Sequence, residues 1–490
     1  MTDRQIYTAF LTIGAFGLLI HLTLPFMGDE AYFVAWGREF SAGVYDHPPF
    51  ADWVSASIWR VGEAFGITSQ GVLHRIFSSL TGVACFLLIW RRHPENLPLL
   101  LCIFLSPGLI IFFSMFMNDT LLLPLLLVFF LSVERGVNAE RLDWTAVITG
   151  GIAFGLALFT KYSAGLFYLG IAASLLSYPR GRRFLFGGFV PLSALATVPF
   201  LYNLYWGYQN CNVNLAFNFQ FREIFPSVVG LPQAALAILL VTGPVGVILL
   251  RHRRGLFTRA FLLTSALIFI VSYQRGYFGI NWAAPMGVLA ALAVLEQSAK
   301  LNLRRIWLWS LGFSLLVLVP ATGTLVALEM RWLNPRTAFG EQSYPVALEM
   351  ELDSDKLAAQ IRNLSEGRDV ATYIYGTSSV LERHYIDNVT TFTMQVFGRN
   401  QDLHTDFAAL DGHAFAYIPP SLAAGERLAE KIFTSHEVAE IEGDFGMYYV
   451  ILGNGFKYES YRQAMILPAI EKYYDRGTFP YAACYMDKYR

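Results

Sequence analysis

Long apolar runs separated by short polar loops make up most of the first two thirds of the chain. About eleven of these runs are candidate membrane-spanning helices, at 6–27, 72–90, 97–117, 120–133, 145–160, 162–178, 184–205, 231–250, 259–273, 282–296 and 306–328. A run of about 20 apolar residues can cross a hydrocarbon layer of about 30 Å as one α-helix. The fourth, fifth, sixth and ninth runs are short for a span. The pattern predicts a polytopic α-helical membrane protein.

The remainder of the chain, about 150 residues, follows a different pattern in which short apolar segments alternate with polar turns. Two strands, two amphipathic helices and a turn are predicted there, at 370–375, 415–418, 355–363, 422–433 and 453–455. We therefore expect a transmembrane domain over 1–335 and a small α/β domain over 336–490.

The loop at 28–71, after the first apolar run, contains a further amphipathic segment. Over 50–65 its apolar residues recur at spacings of three and four, at Phe50, Trp53, Val54, Ile58, Val61 and Phe65. Asp52, Ser55 and Glu63 fall largely elsewhere. This spacing predicts a helix that lies in the membrane interface, where it could shape a site reached from the lipid.

Charge supports this division and predicts an orientation. Only 15% of the residues are charged, against roughly 25% in soluble proteins. The net charge of −1 combines +8 up to Gly340, from 23 basic and 15 acidic residues, with −9 after it, from 13 and 22. With a cytoplasmic N-terminus, 15 of those 23 basic residues fall on the inner side, as the positive-inside rule requires. An odd number of spans then places the α/β domain outside, in the periplasm.

Three acidic residues lie at the outer ends of apolar runs. Asp29 and Glu30 follow the first run, and Asp119 lies in the turn at 117–120. A carboxylate at a lipid–water boundary can take a proton from an acceptor hydroxyl or stabilise positive charge on an anomeric carbon. The alternative is structural, since acidic residues also end helices on the outer side and Asp119 could be a helix N-cap.

Basic residues on the same side could hold an anionic group. Lys161 interrupts an apolar stretch, so it either snorkels to the interface or binds a lipid phosphate at membrane depth. His47 either donates a hydrogen bond to a phosphate or is only a turn residue. Arg275 is a further cation on the outer side. Arg75 and Arg222 are interpreted as interfacial anchors.

The four cysteines indicate no dense disulfide framework. Cys85 and Cys102 lie inside apolar runs and are most simply buried small hydrophobic residues. Cys211 and Cys484 are both placed outside, where a disulfide can form, but their spacing leaves open whether they meet. The sequence contains no Gly-rich nucleotide loop, no His/Cys metal cluster and no Ser/His/Asp arrangement on the outer side.

Five short motifs, in order over about the first 300 residues, resemble those of a known family. They are Gly28-Asp29-Glu30-Ala31-Tyr32, Asp46-His47-Pro48-Pro49-Phe50, Asp119, Thr160-Lys161-Tyr162 and Asn281-Trp282-Ala283-Ala284-Pro285. The set resembles the bacterial branch of the protein-mannosyltransferase-like superfamily, whose members are type C glycosyltransferases. The lipid A aminoarabinose transferase and polyprenyl-phosphate-dependent galacturonosyl and mannosyl transferases are related.

The resemblance implies roles for individual residues. Asp29 matches the first-loop catalytic acid, Glu30 its neighbour, Asp119 the second acidic position and Lys161 the phosphate-binding lysine. His47 stands where the aminoarabinose transferase has a lysine before Pro-Pro. The weaker substrate-binding candidates are Tyr32, Tyr162, Asn281, Trp282 and, from a tail motif at 398–401, Arg399.

The activity that the resemblance implies is inverting transfer of a sugar from a polyprenyl-monophosphate donor on the periplasmic face of the bacterial inner membrane. The acceptor would be lipid A or lipopolysaccharide, a glycan or a protein. No cofactor is expected to be required, a divalent metal is left open, and no nucleic acid is expected as a partner. The main alternative is a transporter or flippase of lipid-linked sugars, which would show inverted repeats and ionisable residues at mid-membrane. A membrane scaffold or receptor with an outer sensory tail is a third interpretation.

Overall fold

The protein is described from a computed structural model. The described residues are 3–26, 28–221, 225–252, 254–336, 351–352, 354–383, 389–392, 399–474 and 479–490. Arg222 and Gly398, the first residue of the tail motif, lie outside them.

The region before residue 337 is helical. In chain order, α1 to α17 are Asp3–Thr23, Gly28–Trp36, Phe50–Ala64, Gln70–Trp90, Leu97–Phe104, Pro107–Phe113, Asn118–Asn138, Trp144–Leu158, Ala164–Ser177, Pro179–Phe184, Val190–Tyr208, Val213–Ala216, Gly230–Thr242, Pro244–Leu249, Leu256–Arg275, Ala284–Leu295 and Leu303–Glu329. Short 3-10 turns occur at Pro94–Asn96, Ile280–Ala283 and Ser298–Lys300, and π turns at Leu185–Phe189 and Phe217–Phe221.

Five helical segments of the described chain are long and apolar enough to span a membrane: α4, α7, α15, α17 and the continuous stretch Pro179–Tyr208. The number rises to as many as seven if each of two bent pairs forms one span: Leu11–Thr23 with α2, bent by 66°, and Pro94–Phe104 with α6, bent by 83°. Shorter apolar helices occur at Trp144–Leu158, Ala164–Ser177, Gly230–Thr242 and Ile280–Leu295. Each predicted run overlaps one of these helices or pairs, and the run at 231–250 is divided between α13 and α14. The multi-pass class is thus confirmed, while a count of eleven spans stays a prediction.

Helix α7 lies at the centre of the bundle. Its apolar side chains are buried all round, including Leu122, Leu126, Phe129 and Val133. Such a helix belongs in a core, whereas α17, of whose span only 22% is buried, suits a lipid-facing position. The burial of α7 fixes the position of its first turn, which carries Asn118 and Asp119.

Helix α3 confirms the helix predicted in the first loop, and its two faces contact different surroundings. Its buried residues are small or polar, namely Ala51, Asp52, Ser55, Ala56 and Gly62. Phe50, Trp53, Val54 and Ile58 are half-buried, whereas Val61, in the last turn, and Phe65, just after the helix, are exposed. Exposed apolar side chains at this end of the helix are the ones expected to contact lipid.

The described part of the C-terminal region contains one five-stranded sheet. Strands β1 to β5 are Asp369–Thr372, Thr390–Thr391, Phe415–Ile418, Phe433–Gly443 and Gly446–Phe456, in the spatial order β2-β1-β3-β5-β4. β1 is parallel to β2 and β3, with Val370 opposite Ala416, whereas β5 is antiparallel to β3 and β4. Helices α18 to α23 are Ser354–Leu364, Tyr375–Arg383, Asn400–His404, Leu422–Ile432, Tyr458–Tyr461 and Leu467–Ala469. π turns at Arg462–Ile466 and Ile470–Tyr474 and a 3-10 turn at Tyr485–Tyr489 follow.

The predicted strands and helices of this region are present, with two corrections. The predicted turn at 453–455 lies inside β5, because β4 continues to pair with it there: Ser435 is opposite Asn454 and Phe433 opposite Phe456. Tyr375, predicted as the end of a strand, instead begins α19. We keep the division into 1–335 and 336–490 as a proposal.

Candidate functional site

A cavity of about 470 Å³ lies where the first turns of α2 and α7, the end of α15 and the C-terminal region meet. Nine of the residues singled out from the sequence line it: Asp29, His47, Asp119, Lys161, Tyr162, Arg275, Asn281, Trp282 and Arg399. These residues come from segments far apart in the chain, so the fold brings together what the sequence showed only as separate motifs.

Asp119 and Lys161 form a buried ion pair at the cavity wall. The Nζ atom of Lys161 donates to both carboxylate oxygens of Asp119, at 2.8 and 2.7 Å. The Nδ2 atom of Asn281 donates to the Oδ2 atom of Asp119 at 3.0 Å. Asp119 lies in the first turn of α7 and Lys161 follows the end of α8, and these two helices pack together. The charge of Lys161 is therefore already balanced by a carboxylate within the protein.

Asp29 is held from the C-terminal region. The Tyr375 hydroxyl donates to its Oδ1 atom at 2.5 Å, and the Nη1 atom of Arg399 lies 3.4 Å from the same oxygen. Nη1 of Arg399 also lies 3.0 Å from Oδ2 of Asp46, and its guanidinium stacks 3.6 Å above the Tyr375 ring. Burial lowers the pKa of Arg399, but the negative charges around it outweigh burial and raise that pKa above its usual value. Arg399 is thus a fixed cation between two carboxylates.

Asp46 is a buried carboxylate that the sequence reasoning did not single out. It accepts a hydrogen bond from the Tyr32 hydroxyl at 3.1 Å, which places Tyr32 beside the cavity wall and not among its lining residues. The Nε2 atom of His47 lies 3.8 Å from Asp46. Burial and the nearby Asp46 raise the pKa of Asp52 to about 7. The only available sequence signal for Asp46 was its place beside His47 in the Asp-His-Pro-Pro motif.

Glu30 does not line the cavity. It is fully buried and accepts two hydrogen bonds from Arg75, from Nε at 2.9 Å and from Nη2 at 2.6 Å. The backbone N–H of Phe116 donates to the same carboxylate at 3.0 Å, and Nη1 of Arg75 donates to the Leu24 carbonyl at 2.7 Å. The interpretation of Arg75 as an interfacial anchor is wrong, because its guanidinium is buried in a bidentate ion pair that ties together the segments around α1, α2 and α4.

Arg275 contributes to the opposite wall. Its guanidinium lies 5.1 Å from the centre of the Trp282 ring, and its Nη2 atom donates to the Asn218 carbonyl at 2.8 Å. Tyr162 accepts a hydrogen bond from Asn203 at 2.6 Å.

Tyr375 and Asn118 are among the cavity residues that the sequence reasoning missed. Tyr375 lies in a segment read only as a strand, and Asn118 was noted only as part of a turn. The side chain of Asn118 is buried, and neither of its amide atoms has a hydrogen-bond partner in the described part of the chain. No cluster of three or more His, Cys, Asp or Glu side chains that could hold a metal ion occurs among the described residues.

Cys211 and Cys484 are joined by a disulfide, with their Cα atoms 4.5 Å apart. Backbone hydrogen bonds flank it, from Cys211 to Ala483 and from Ala482 to Tyr208, both at 2.9 Å. Cys85 and Cys102 are free and buried.

Comparison with known proteins supplies an independent view. Residues 46–206 match the family model described as dolichyl-phosphate-mannose-protein mannosyltransferase. No protein of curated function matches the sequence. The structure is similar to that of ArnT from Cupriavidus metallidurans in the apo state, with a TM-score of 0.57 and 14% identity over 92% of this chain and 98% of that one. For the same protein bound to undecaprenyl phosphate, the TM-score is 0.57 and the sequence identity is 13%, over 90% of this chain and 97% of that one. The type C fold predicted from the motifs is confirmed.

Proposed function

We propose that this chain, a protein-mannosyltransferase-like membrane protein related to the lipid A aminoarabinose transferase, transfers a sugar from a polyprenyl-monophosphate donor to an envelope acceptor. The coarse part of this statement, a glycosyltransferase of the polyprenyl-phosphate-dependent kind, has the support of the family match and of the fold. ArnT is known in complex with undecaprenyl phosphate, which supports a lipid phosphate as the ligand here. The sugar, the acceptor and the membrane face are the finer parts of the proposal.

The observation that carries the proposal is that a half-buried carboxylate, Asp29, lines the same cavity as four basic side chains. These are His47, Lys161, Arg275 and Arg399. A sugar phosphate ester leaves as an anion, and fixed cations in a partly dehydrated cavity stabilise the charge that develops on that leaving group. A carboxylate in the same space can act on the acceptor.

The proposed reaction is a single displacement with inversion at the anomeric carbon. The acceptor oxygen forms a bond to that carbon while the bond to the donor phosphate breaks, and the polyprenyl phosphate leaves with the electron pair. When the acceptor is a hydroxyl, Asp29 takes its proton. When the acceptor is an ionised phosphate, no base is needed, and Asp29 orients the acceptor or stabilises positive charge on the sugar.

The remaining predicted site residues have supporting roles in this proposal. Asp119 balances and orients Lys161, and Asn281 orients Asp119. Glu30 stabilises the start of α2, which carries Asp29.

We place the reaction on the periplasmic face of a bacterial inner membrane, with the N-terminus cytoplasmic. The distribution of basic residues in the loops supports this orientation. The exposed apolar residues Val61 and Phe65, at the end of α3 and on the same loop as His47, support access of a lipid donor from the bilayer.

The proposal is tested with purified protein, a set of polyprenyl-monophosphate sugars and an envelope lipid extract. We expect transfer by the natural protein and by the exposed-residue control Glu63→Gln, and loss of transfer in Asp29→Asn and Lys161→Ala. Full activity of either variant would overturn the role of that residue. Product formed in detergent solution, where no membrane separates two sides, distinguishes transfer from transport. Mass spectrometry of envelope lipids, glycans and glycoproteins with and without the protein then identifies the sugar and the acceptor.

A further inference from the structure

We infer that Tyr375 is the positioning residue of Asp29, so that the C-terminal region sets which oxygen of this carboxylate meets the acceptor. This inference rests on the proposed function, because it assigns a partner to the carboxylate that acts on the acceptor. Nothing in the sequence motifs or in the comparisons assigns a role to Tyr375.

The two carboxylate oxygens of Asp29 differ in their contacts. Both contacts from described side chains, those of Tyr375 and Arg399, fall on Oδ1. No described residue donates a hydrogen bond to Oδ2. Because Asp29 lines the cavity, Oδ2 is the oxygen left for a ligand. A hydrogen bond from a phenol to a carboxylate is charge-assisted and stronger than one between neutral groups, so it can hold the carboxylate plane.

The second observation is that Tyr375 is itself held firmly. It is buried, its ring lies under the Arg399 guanidinium at 3.6 Å, and the Tyr32 ring meets it edge-on at 5.3 Å. A stacked guanidinium and an edge-on ring leave the phenol little freedom to rotate. The hydroxyl is therefore a fixed donor.

The third observation explains why the two segments can approach so closely. Gly28, which begins α2, lies against Gly376 in the first turn of α19, and a Cβ atom on Gly28 would lie 3.3 Å from the Cα atom of Gly376. Each glycine is the immediate neighbour of one partner, Asp29 or Tyr375. Two glycines in contact let the two backbones meet without intervening side chains, which brings a carboxylate and a phenol from opposite parts of the chain within hydrogen-bond distance.

In this role Tyr375 keeps its proton throughout. It donates to Oδ1, while Oδ2 takes the proton of the acceptor hydroxyl as the bond to the anomeric carbon forms and the bond to the donor phosphate breaks. A purely structural role, in which Tyr375 only fastens the C-terminal region to α2, would leave the reaction rate of the folded protein unchanged. The two interpretations therefore predict different kinetics.

The test compares Tyr375→Phe with Tyr417→Phe, a matched control that removes a buried hydroxyl from β3 of the same region. Both variants are purified from the full chain, and only folded protein, judged by size-exclusion profile and thermal unfolding, is assayed. For Tyr375→Phe we expect kcat to fall by about 10- to 100-fold, as for the loss of a hydrogen bond to a charged group, with the KM for the donor within about twofold. For Tyr417→Phe we expect natural values. A natural kcat in Tyr375→Phe would overturn the inference.

The double variant Asp29→Asn/Tyr375→Phe separates this inference from the proposed function. If Tyr375 acts through Asp29, the double variant keeps the residual rate of Asp29→Asn, whereas a further loss of the same size as in Tyr375→Phe alone would overturn the positioning role. A fully active Asp29→Asn would instead contradict the proposed function. An inactive Asp29→Asn together with a fully active Tyr375→Phe would contradict only the inference.

Discussion

Lys161 donates hydrogen bonds to both carboxylate oxygens of Asp119, and both side chains are buried. Under the proposed function, a donor phosphate at Lys161 would therefore meet an ammonium already shared with a carboxylate of the protein. Such a pair orients the ammonium and reduces the cost of keeping it charged away from water. The sequence motif alone would suggest a lone lysine, whereas the structure shows a buried ion pair.

We expect Asp119→Asn to destabilise the protein by about 3–5 kcal/mol, because it leaves the Lys161 charge buried without its counter-charge. Thermal unfolding in detergent measures this change. The control is the double variant Asp119→Asn/Lys161→Met, which removes both charges and should recover most of the lost stability. A double variant less stable than Asp119→Asn would contradict the interpretation.

The pair formed by Glu30 and Arg75 makes a second stability prediction. Arg75→Met leaves a fully buried carboxylate uncompensated, so we expect a loss of about 3–5 kcal/mol in unfolding free energy. Arg60→Met, which breaks the exposed pair with Glu63 on α3, is the matched control and should cost less than about 1 kcal/mol. Equal effects of the two substitutions on thermal unfolding would contradict the prediction that the buried pair of Glu30 and Arg75 contributes more to stability than the exposed pair.

Asp52 predicts a pH dependence of stability. Its pKa of about 7 in the folded protein lies above the ordinary value near 4, chiefly through burial and then through Asp46. Between these two pKa values the carboxyl of Asp52 is protonated in the folded protein and ionised in the unfolded chain. The contribution of Asp52 to the free energy of unfolding is therefore fully present below about pH 4 and is lost as the pH rises through about 7.

We expect Asp52→Asn to raise the unfolding temperature most at pH 8 and progressively less toward pH 4. Glu63→Gln, an exposed substitution on the same helix, should show no such trend. Unfolding temperatures measured across this pH range check both expectations, and a constant difference between Asp52→Asn and the natural protein would rule out the assignment.

The disulfide makes a prediction that mass spectrometry can check. Intact protein alkylated without reductant should carry no label on Cys211 or Cys484, and reduction should expose both. We expect Cys211→Ser to lower the unfolding free energy by about 2–5 kcal/mol. The double variant Cys85→Ala/Cys102→Ala is the control, and it should leave the labelling of the other two cysteines unchanged. Two labelled thiols in the unreduced natural protein would exclude the bond.

The sequence predicted the membrane class well, because a span must be apolar throughout its length. It also predicted β1, β3, α18 and α21 of the C-terminal region, whose patterns are local. The long β4–β5 hairpin was missed, because pairing with β4 keeps residues 453–455 in strand β5 despite their turn preference. The number of spans stays open because α5 and α6 break at Pro107, where an apolar run continues while the helix does not.

The cavity residues that belong to a sequence motif were predicted, whereas those recognisable only by their contacts in the structure were missed. Asp29 and Glu30 are adjacent in α2, and their side chains point about 100° apart, so that Glu30 meets the buried Arg75 while Asp29 lines the cavity. Tyr375 meets Asp29 across 346 positions of sequence, and no pattern within the chain signals such a contact. Arg399 was found only through the resemblance of its tail motif.

Tyr375, Arg399 and Cys484 all follow α17 in the chain, whereas Asp29 is made near the start. During synthesis the ribosome therefore delivers the carboxylate long before the phenol and guanidinium that hold it. A nascent chain that has already inserted α17 still lacks one wall of its cavity. Under the proposed function, activity is consequently expected only once the C-terminal region has been made and folded, and a chain interrupted after α17 would add an inactive protein to the membrane.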